Sequence, residues 1–312
     1  MNQFPEKFIE RLKKIIPSHQ YDGVYECLLN KPKASFRNNS LSQGHEETFK
    51  KVRESGVAFD EISWYQDAIM LKEDMLPSFM ESDLVKQGIL YKQGLSSMII
   101  PLILNPECGE SILDCCAAPG SKTTQLVALT KNQSSIVAIE NIRNRFYKLK
   151  SVCSLLGVQN VMFKFVDARK FRAEQRFDKI LVDAPCSSEG RFCLSYKKTY
   201  AYWSERKIRE MQRKQKGIVL NASRLLRVGG ELVYSTCTFS PEENEGVVDW
   251  LLRKSPEALE VQLIEMEDVS SYPCLHQWKN KIYNSQVKKC LRILPSKSFE
   301  GFFACKIKKI GM

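Results

Sequence analysis

SILDCCAAPG, residues 111–120, decides the fold. A short apolar run ends in an acid, two cysteines and a Pro-Gly turn, and the helical segment SKTTQLVALT (residues 121–130) follows at once. The unit recurs downstream. SSIVAIE (134–140) leads into the charged helical stretch 141–157, NVMFKFVDA (160–168) is a third run and FDKILVDAPC (177–186) a fourth. A long helical stretch spanning 207–227 then gives way to Gly229-Gly230 and to ELVYSTCT (231–238). Short continuous apolar strands alternating with helices predict βαβ units and a parallel sheet covered on both faces, an α/β, Rossmann-like fold. LRILP (291–295) and GFFACKIKKI (301–310) add two strand candidates.

Ligands of open α/β sheets bind outside the carboxyl ends of the strands. Those ends carry Asp114 to Gly120, Glu140, Asp167, Asp183 to Cys186, and Thr236-Cys237-Thr238. Packing does not require acids and thiols there, so they predict a site.

Upstream, residues 1–105 read as a smaller, charge-rich α+β segment. Residues 1–17 predict an amphipathic surface helix with Phe8, Leu12 and Ile15 or Ile16 on one face. Residues 34–37 are a short strand candidate, followed by the polar stretch SLSQGHEE (40–47). No apolar run approaches the roughly 18 residues of a membrane span, and the N-terminus lacks a signal-peptide core, so a cytoplasmic protein is expected. Lysine and arginine number 47 against 36 acids, a net charge of +11 that suits a polyanionic partner. The 11 cysteines are an odd number without a secretory signal, which argues against a disulfide framework. With no CxxC pair and only 3 histidines, no metal site is expected.

Three cofactor readings compete at the first strand end. A phosphate-binding loop of the GxxxxGK[ST] type needs glycine where this chain has Cys116 and Ser121. The dinucleotide fingerprint GxGxxG is absent. S-adenosylmethionine has no phosphate and needs no dense glycine cradle. It needs a turn beside its methionine part and an acid on the ribose hydroxyls, a role for Glu140, while Asp167 can accept from the adenine amino group. The competing role for each acid is a helix N-cap.

The thiols point to a reaction. Carbon-5 of cytosine is a poor nucleophile until a thiolate adds to carbon-6 and an acid meets N3. DAPC and STCT supply two thiols and one acid at neighbouring strand ends. A free thiol titrates near 8.5, so nearby positive charge is needed, and Lys122 is a candidate source. Geometry alone leaves open which cysteine attacks.

LDCCAAPGSKT (113–123), DAPCSSEGRF (183–192) and YSTCTFSPEENEGVV (234–248) resemble the NOL/NOP/Sun RNA cytosine-5 methyltransferases. FRNNSL (36–41), LYKQGLSSM (90–98) and GFFACKIKK (301–309) are similar to that family's pattern too, so the resemblance covers about residues 34 to 310. It implies a class I S-adenosylmethionine-dependent methyltransferase fold with a small N-terminal α+β, RRM-like RNA-binding segment over 1–105 and a catalytic domain over 106–312. It implies Cys237 as nucleophile, Cys186 as the thiol that assists release of the methylated base, Asp183 on the base, and Lys122 as the lysine of the PGxK motif. It implies cofactor contacts from the main chain of Cys116, Ala117, Ala118, Pro119 and Gly120, with Ser121 next in that loop. The acid on ribose falls on Glu140, the arginine that follows it on Arg145, and the adenine-side acid on Asp167. Two positions depart from the family, Ser121 where PGGK is usual and Ser188 where PCSG is common.

Phe192, Tyr196, Tyr200, Tyr202 and Trp203 lie among Arg191, Lys197 and Lys198, a mixture suited to a flipped base. The basic run from Arg206 to Lys216 reads as a solvated helix face. No aromatic RNP motif marks the N-terminal segment, and no further RNA-binding domain is expected after the last strand. The expected partner is tRNA or rRNA, met by a monomer. A DNA cytosine methyltransferase and a non-catalytic RNA-binding assembly factor are the competing readings.

Overall fold

The computed structural model describes residues 3–72 and 75–311. The N-terminal part holds helices α1 (Glu6–Ile15) and α2 (Ser18–Cys27), then strand β1 (Ser35–Asn38), α3 (His45–Glu54), β2 (Phe59–Glu61), β3 (Ala68–Leu71), α4 (Leu76–Met80), α5 (Asp83–Lys86) and β4 (Leu90–Lys92). The strands form an antiparallel sheet in the order β2-β3-β1-β4, a βαββαβ arrangement of the ferredoxin-like kind.

The second sheet follows α6 (Leu95–Leu104). It is laid down by β5 (Ser111–Asp114), α7 (Ser121–Leu129), β6 (Ser135–Glu140), α8 (Arg143–Leu155), β7 (Val161–Phe165), β8 (Phe177–Asp183), α9 (Glu205–Leu225), β9 (Leu226–Thr236) and α10 (Glu245–Lys254). Strands β10 (Ala258–Gln262), β11 (Ser271–Tyr272), β14 (Leu291–Ile293) and β15 (Phe302–Gly311) complete it, and β12 (Gln277–Trp278) with β13 (Lys281–Ile282) make a separate hairpin. The order is β11-β14-β15-β9-β8-β5-β6-β7, with β10 also on β15. Strands β5 to β9 pair in parallel and β15 returns antiparallel on β9. The strand order reverses between β5 and β8, which is where a doubly wound sheet opens a crevice.

All the strand candidates of the second sheet form. The apolar runs of the central strands β5, β8 and β9 are buried on both faces, with Ile112, Leu113, Ile180, Leu181, Val182, Leu232 and Val233 each fully inaccessible, whereas β7 at the sheet edge exposes Met162 and Phe165. Burying one such side chain is worth about 1.5–3 kcal/mol. In α9, Ile208, Met211, Gln215, Ile218 and Ala222 recur at helical spacing and face the sheet, and Ser204 caps the helix by accepting from the Lys207 amide at 3.2 Å.

The N-terminal part is not a detached module. Phe8, Leu12 and Ile15 of α1 are buried with Phe192, Tyr200 and Phe239, so the predicted surface helix is a brace on the segment after DAPC. Arg11 reaches Glu242 at 2.7 Å. Helix α6, just before residue 105, packs on the large sheet through Ile99, Ile100, Ile103 and Leu104. Strand β1 is buried on both faces. Its Arg37 donates to Thr124 of α7 at 2.8 Å, and Asn39 donates to the Leu156 carbonyl at 3.1 Å. FRNNSL is thus a fastening between the two sheets.

Candidate active site

The carboxyl ends of β5, β6, β8 and β9 open into one cavity of about 680 Å³. Cys116, Ala117, Ala118, Pro119, Ser121, Lys122, Glu140, Arg145, Asp167, Asp183, Cys186 and Cys237 all line it. Gly120 does not, and its role is conformational. Its φ of 112° turns the chain into α7, and an added Cβ would meet Leu149 and Val152 at 3.2 and 3.3 Å. Ser121 begins α7 without a positive φ, so serine is accommodated where the family pattern has glycine.

The loop after β5 is held from below. Buried Asp114 accepts from the Thr123 hydroxyl at 2.7 Å, and burial pushes its carboxyl up to about 6. The Ala117 amide donates to the Ile139 carbonyl at 2.9 Å. Glu140 is almost fully buried. Its Oε1 accepts from the Asn141 and Ile142 amides at 2.8 and 2.9 Å, and its Oε2 lies 3.4 Å from Arg145. Arg145 also donates to the Ala118 carbonyl at 2.5 Å, tying the acid to the loop. Asp167 lines the cavity with its carboxylate already paired. Arg169 grips both its oxygens, with an ion-pair distance of 2.5 Å, and holds its carboxyl below the usual range.

Asp183 ends β8. Its Oδ2 is 2.6 Å from Lys122 Nζ and its Oδ1 accepts from Ser235 Oγ at 2.8 Å. Lys122 is buried, also donates to Ser97 at 2.8 Å, and lies over the Phe302 ring. Lysine 122 is therefore spent on the acid, a correction to its expected role as the charge beside the thiol.

Cys186 Sγ and Cys237 Sγ are 3.3 Å apart and hydrogen-bonded. The bond from Cys186 holds the Cys237 thiol below its ordinary range against burial, and Arg191 adds to the effect. The same bond, with burial, pushes Cys186 well above its range. Burial raises Cys115, Cys116, Cys153 and Cys290, and the hydrogen bond with Cys290 together with burial raises Cys274, whereas Cys237 is held low. The positive charge near it is Arg191, which pairs with Glu300 at 3.2 Å. Sequence reasoning placed Arg191 with RNA capture and passed over Ser97, Ser235 and Glu300. The only available signals were a basic residue five positions after Cys186 and a serine two before Cys237.

Behind the thiols the loops are cross-linked. Glu243 accepts from the Ser187 amide at 3.0 Å and from Gln215 at 2.8 Å. The Ser187 hydroxyl meets Thr238 at 2.7 Å, and Thr238 donates to Glu189 at 2.8 Å. The neighbours of both cysteines are thus one buried network. Gly190 permits the last strand to approach, since a Cβ there would sit 2.0 Å from the Gly301 carbonyl. Of the aromatics after DAPC, Phe192 and Tyr200 are core, Trp203 donates to Glu189 at 2.7 Å, and Tyr196 and Tyr202 are exposed.

The cavity fits S-adenosylmethionine in size and chemistry: a dry alanine-lined turn, a buried acid at the end of the second strand, and no phosphate cradle. The family described as 16S rRNA methyltransferase RsmB/F matches residues 101–308. The chain is 34% identical over 306 residues to the tRNA (cytosine(49)-C(5))-methyltransferase of Pyrococcus abyssi, covering 97% of this chain and 96% of that one. It is 32% identical over 324 residues to ribosomal RNA small subunit methyltransferase F of Shewanella piezotolerans, covering 100% of this chain and 65% of that longer protein. A solved methyltransferase homolog from Pyrococcus horikoshii superposes with a TM-score of 0.80 at 27% identity over 98% of this chain and 99% of that one. This chain belongs to the 16S rRNA methyltransferase RsmB/F family, and with it to the S-adenosylmethionine-dependent methyltransferases.

Proposed function

We propose that this chain methylates carbon-5 of cytosine in a structured RNA, tRNA or rRNA, through a covalent adduct on Cys237. The observation that carries the reading is the thiol pair, 3.3 Å apart and beside the Asp183–Lys122 ion pair in a single cavity. Bound S-adenosylmethionine supplies an electrophilic methyl group. The chain's own groups do the rest. Glu140, at the buried end of β6, would meet the ribose hydroxyls, and Cys116 to Pro119 with Ser121 would wall the methionine end, with Gly120 turning the chain behind them. Asp167 stays on the cavity wall beside Arg169, at the adenine end. Arg145 fixes Glu140 and the loop together.

Cys237 attacks carbon-6 of the base as a thiolate, favoured by its low titration range. Asp183, oriented by Lys122 and Ser235, meets N3 as charge develops there. Carbon-5 then bonds the methyl group as the donor's sulfur–methyl bond breaks. The carbon-5 proton passes to water, and its electron pair restores the ring double bond and expels Cys237 from carbon-6 as a thiolate. Cys186, still holding its proton, assists that release by donating a hydrogen bond to the departing sulfur. Asymmetry between the thiols favours Cys237 as the attacking group over the reverse assignment. Residues 1–105 are the proposed RNA-capturing part and 106–312 the catalytic part, with α6 shared between them.

The reading is tested by transfer of labelled methyl from S-adenosylmethionine to unmodified tRNA, rRNA and DNA. 5-Methylcytosine in RNA, lost in Cys237→Ala, is expected. Label in DNA alone would favour a DNA enzyme, and cofactor binding without transfer to any nucleic acid would favour an assembly factor.

A further inference from the structure

Ser188 is in the left-handed region, at φ 60° and ψ 29°, directly beside the reacting groups. A residue with a Cβ takes that conformation at a cost, and such residues persist where the surroundings fix them. What the conformation does here is aim the hydroxyl. As a thiol, Cys237 donates to Ser188 Oγ at 3.6 Å, a bond that must reverse when the sulfur ionises, and Cys186 Sγ lies 3.8 Å from the same oxygen in the cavity wall. A hydroxyl has one proton to donate and lone pairs to accept with, so it can serve both sulfurs at once. The backbone is pinned around it: the Ser187 amide is held by Glu243, and the Arg191 amide donates to the Ser188 carbonyl at 3.0 Å.

We propose that Ser188 is a positioning residue that bridges the two thiols, donating its hydrogen bond to Cys237 when that sulfur is ionised. The inference deepens the reading of Cys237 as the attacking thiol. The charged and titratable groups around the pair are Cys186, Arg191, Asp183 and Glu300 near Cys237, and Glu243 behind Cys186. Arg191 supplies charge to the thiolate from its side chain, and Ser188 supplies the directed hydrogen bond that a flexible arginine paired to Glu300 does not.

Two variants separate the hydroxyl from the backbone. Ser188→Gly removes the hydroxyl and relieves the left-handed backbone, so it folds. Ser188→Ala removes the hydroxyl and keeps the Cβ. The rate of iodoacetamide alkylation at Cys237, located by peptide mass spectrometry, is followed against pH in the full chain without RNA. Loss of a hydrogen bond to a charged sulfur slows alkylation near neutral pH by about tenfold in both variants, with the curves converging at high pH. Ser188→Gly should also melt above Ser188→Ala, as a left-handed site prefers glycine. Alkylation curves of both variants that overlay the wild type would overturn the proposal, as would a wild-type Cys237 that titrates no lower than a free thiol. Methyl transfer that survives Cys237→Ala would instead overturn the proposed reaction and leave the alkylation result standing.

Discussion

At the residue scale, one hydrogen bond makes two similar cysteines different. Cys237 is held low and Cys186 high because each is the other's partner and Arg191 stands nearer the first. The cysteines, Asp183, Lys122 and Glu140 were legible in the sequence because each ends a strand or opens a helix. Their partners were not. Arg191 on the thiol, Ser235 on Asp183 and Arg169 on Asp167 are side-chain geometry, which spacing along a chain does not give. Glu243 is a further case. Burial, with Glu189 nearby, pushes its carboxyl up to about 8. The fold therefore keeps a proton that the unfolded chain has already lost, so stability falls as pH rises from the ordinary carboxyl range through about 8. Thermal melts of the wild type are expected to drop between about pH 5 and pH 8, and those of Glu243→Gln to drop less. Equal slopes would mean that Glu243 is ionised throughout.

At the element scale, the central parallel strands were legible because burial on both faces writes them as continuous apolar runs, while β7 at the edge keeps an apolar run with Met162 and Phe165 exposed. The short antiparallel additions β10, β11 and the β12–β13 hairpin carry no such signature, and α9 passes into β9 with no turn signal between them. Helix α1 shows how a correct periodicity can leave the partner undetermined. Its apolar face was evident, but its docking on Phe192 and Tyr200 depends on a segment almost two hundred residues away. That contact ties the first helix to the loop that follows Cys186. Phe8→Ala should cost about 3–5 kcal/mol in denaturant unfolding, the range for an aromatic removed from a core. A cost below about 1 kcal/mol would place α1 outside the cooperative core.

At the scale of the whole molecule, the chain carries a net charge of +11, and one cavity brings the two cysteines together with Glu140 and the loop after β5. The small sheet does not offer β1 for base stacking, because Arg37 and Asn39 bind it to the catalytic core. The proposed capture of RNA would then rest on phosphate contacts. Affinity for a structured RNA should fall by about 100-fold or more between 50 and 200 mM salt, on the order expected for several phosphate contacts. A flat salt response would contradict capture by charge. The central claim is that Cys237 attacks and Cys186 releases, and the direct measurement is to incubate Cys186→Ala and Cys237→Ala with RNA and S-adenosylmethionine and map any covalent protein–RNA link by mass spectrometry. The account predicts that Cys186→Ala accumulates a link at Cys237 carrying a methylated cytosine, and that Cys237→Ala forms none. A link at Cys186 in the Cys237→Ala protein would contradict it.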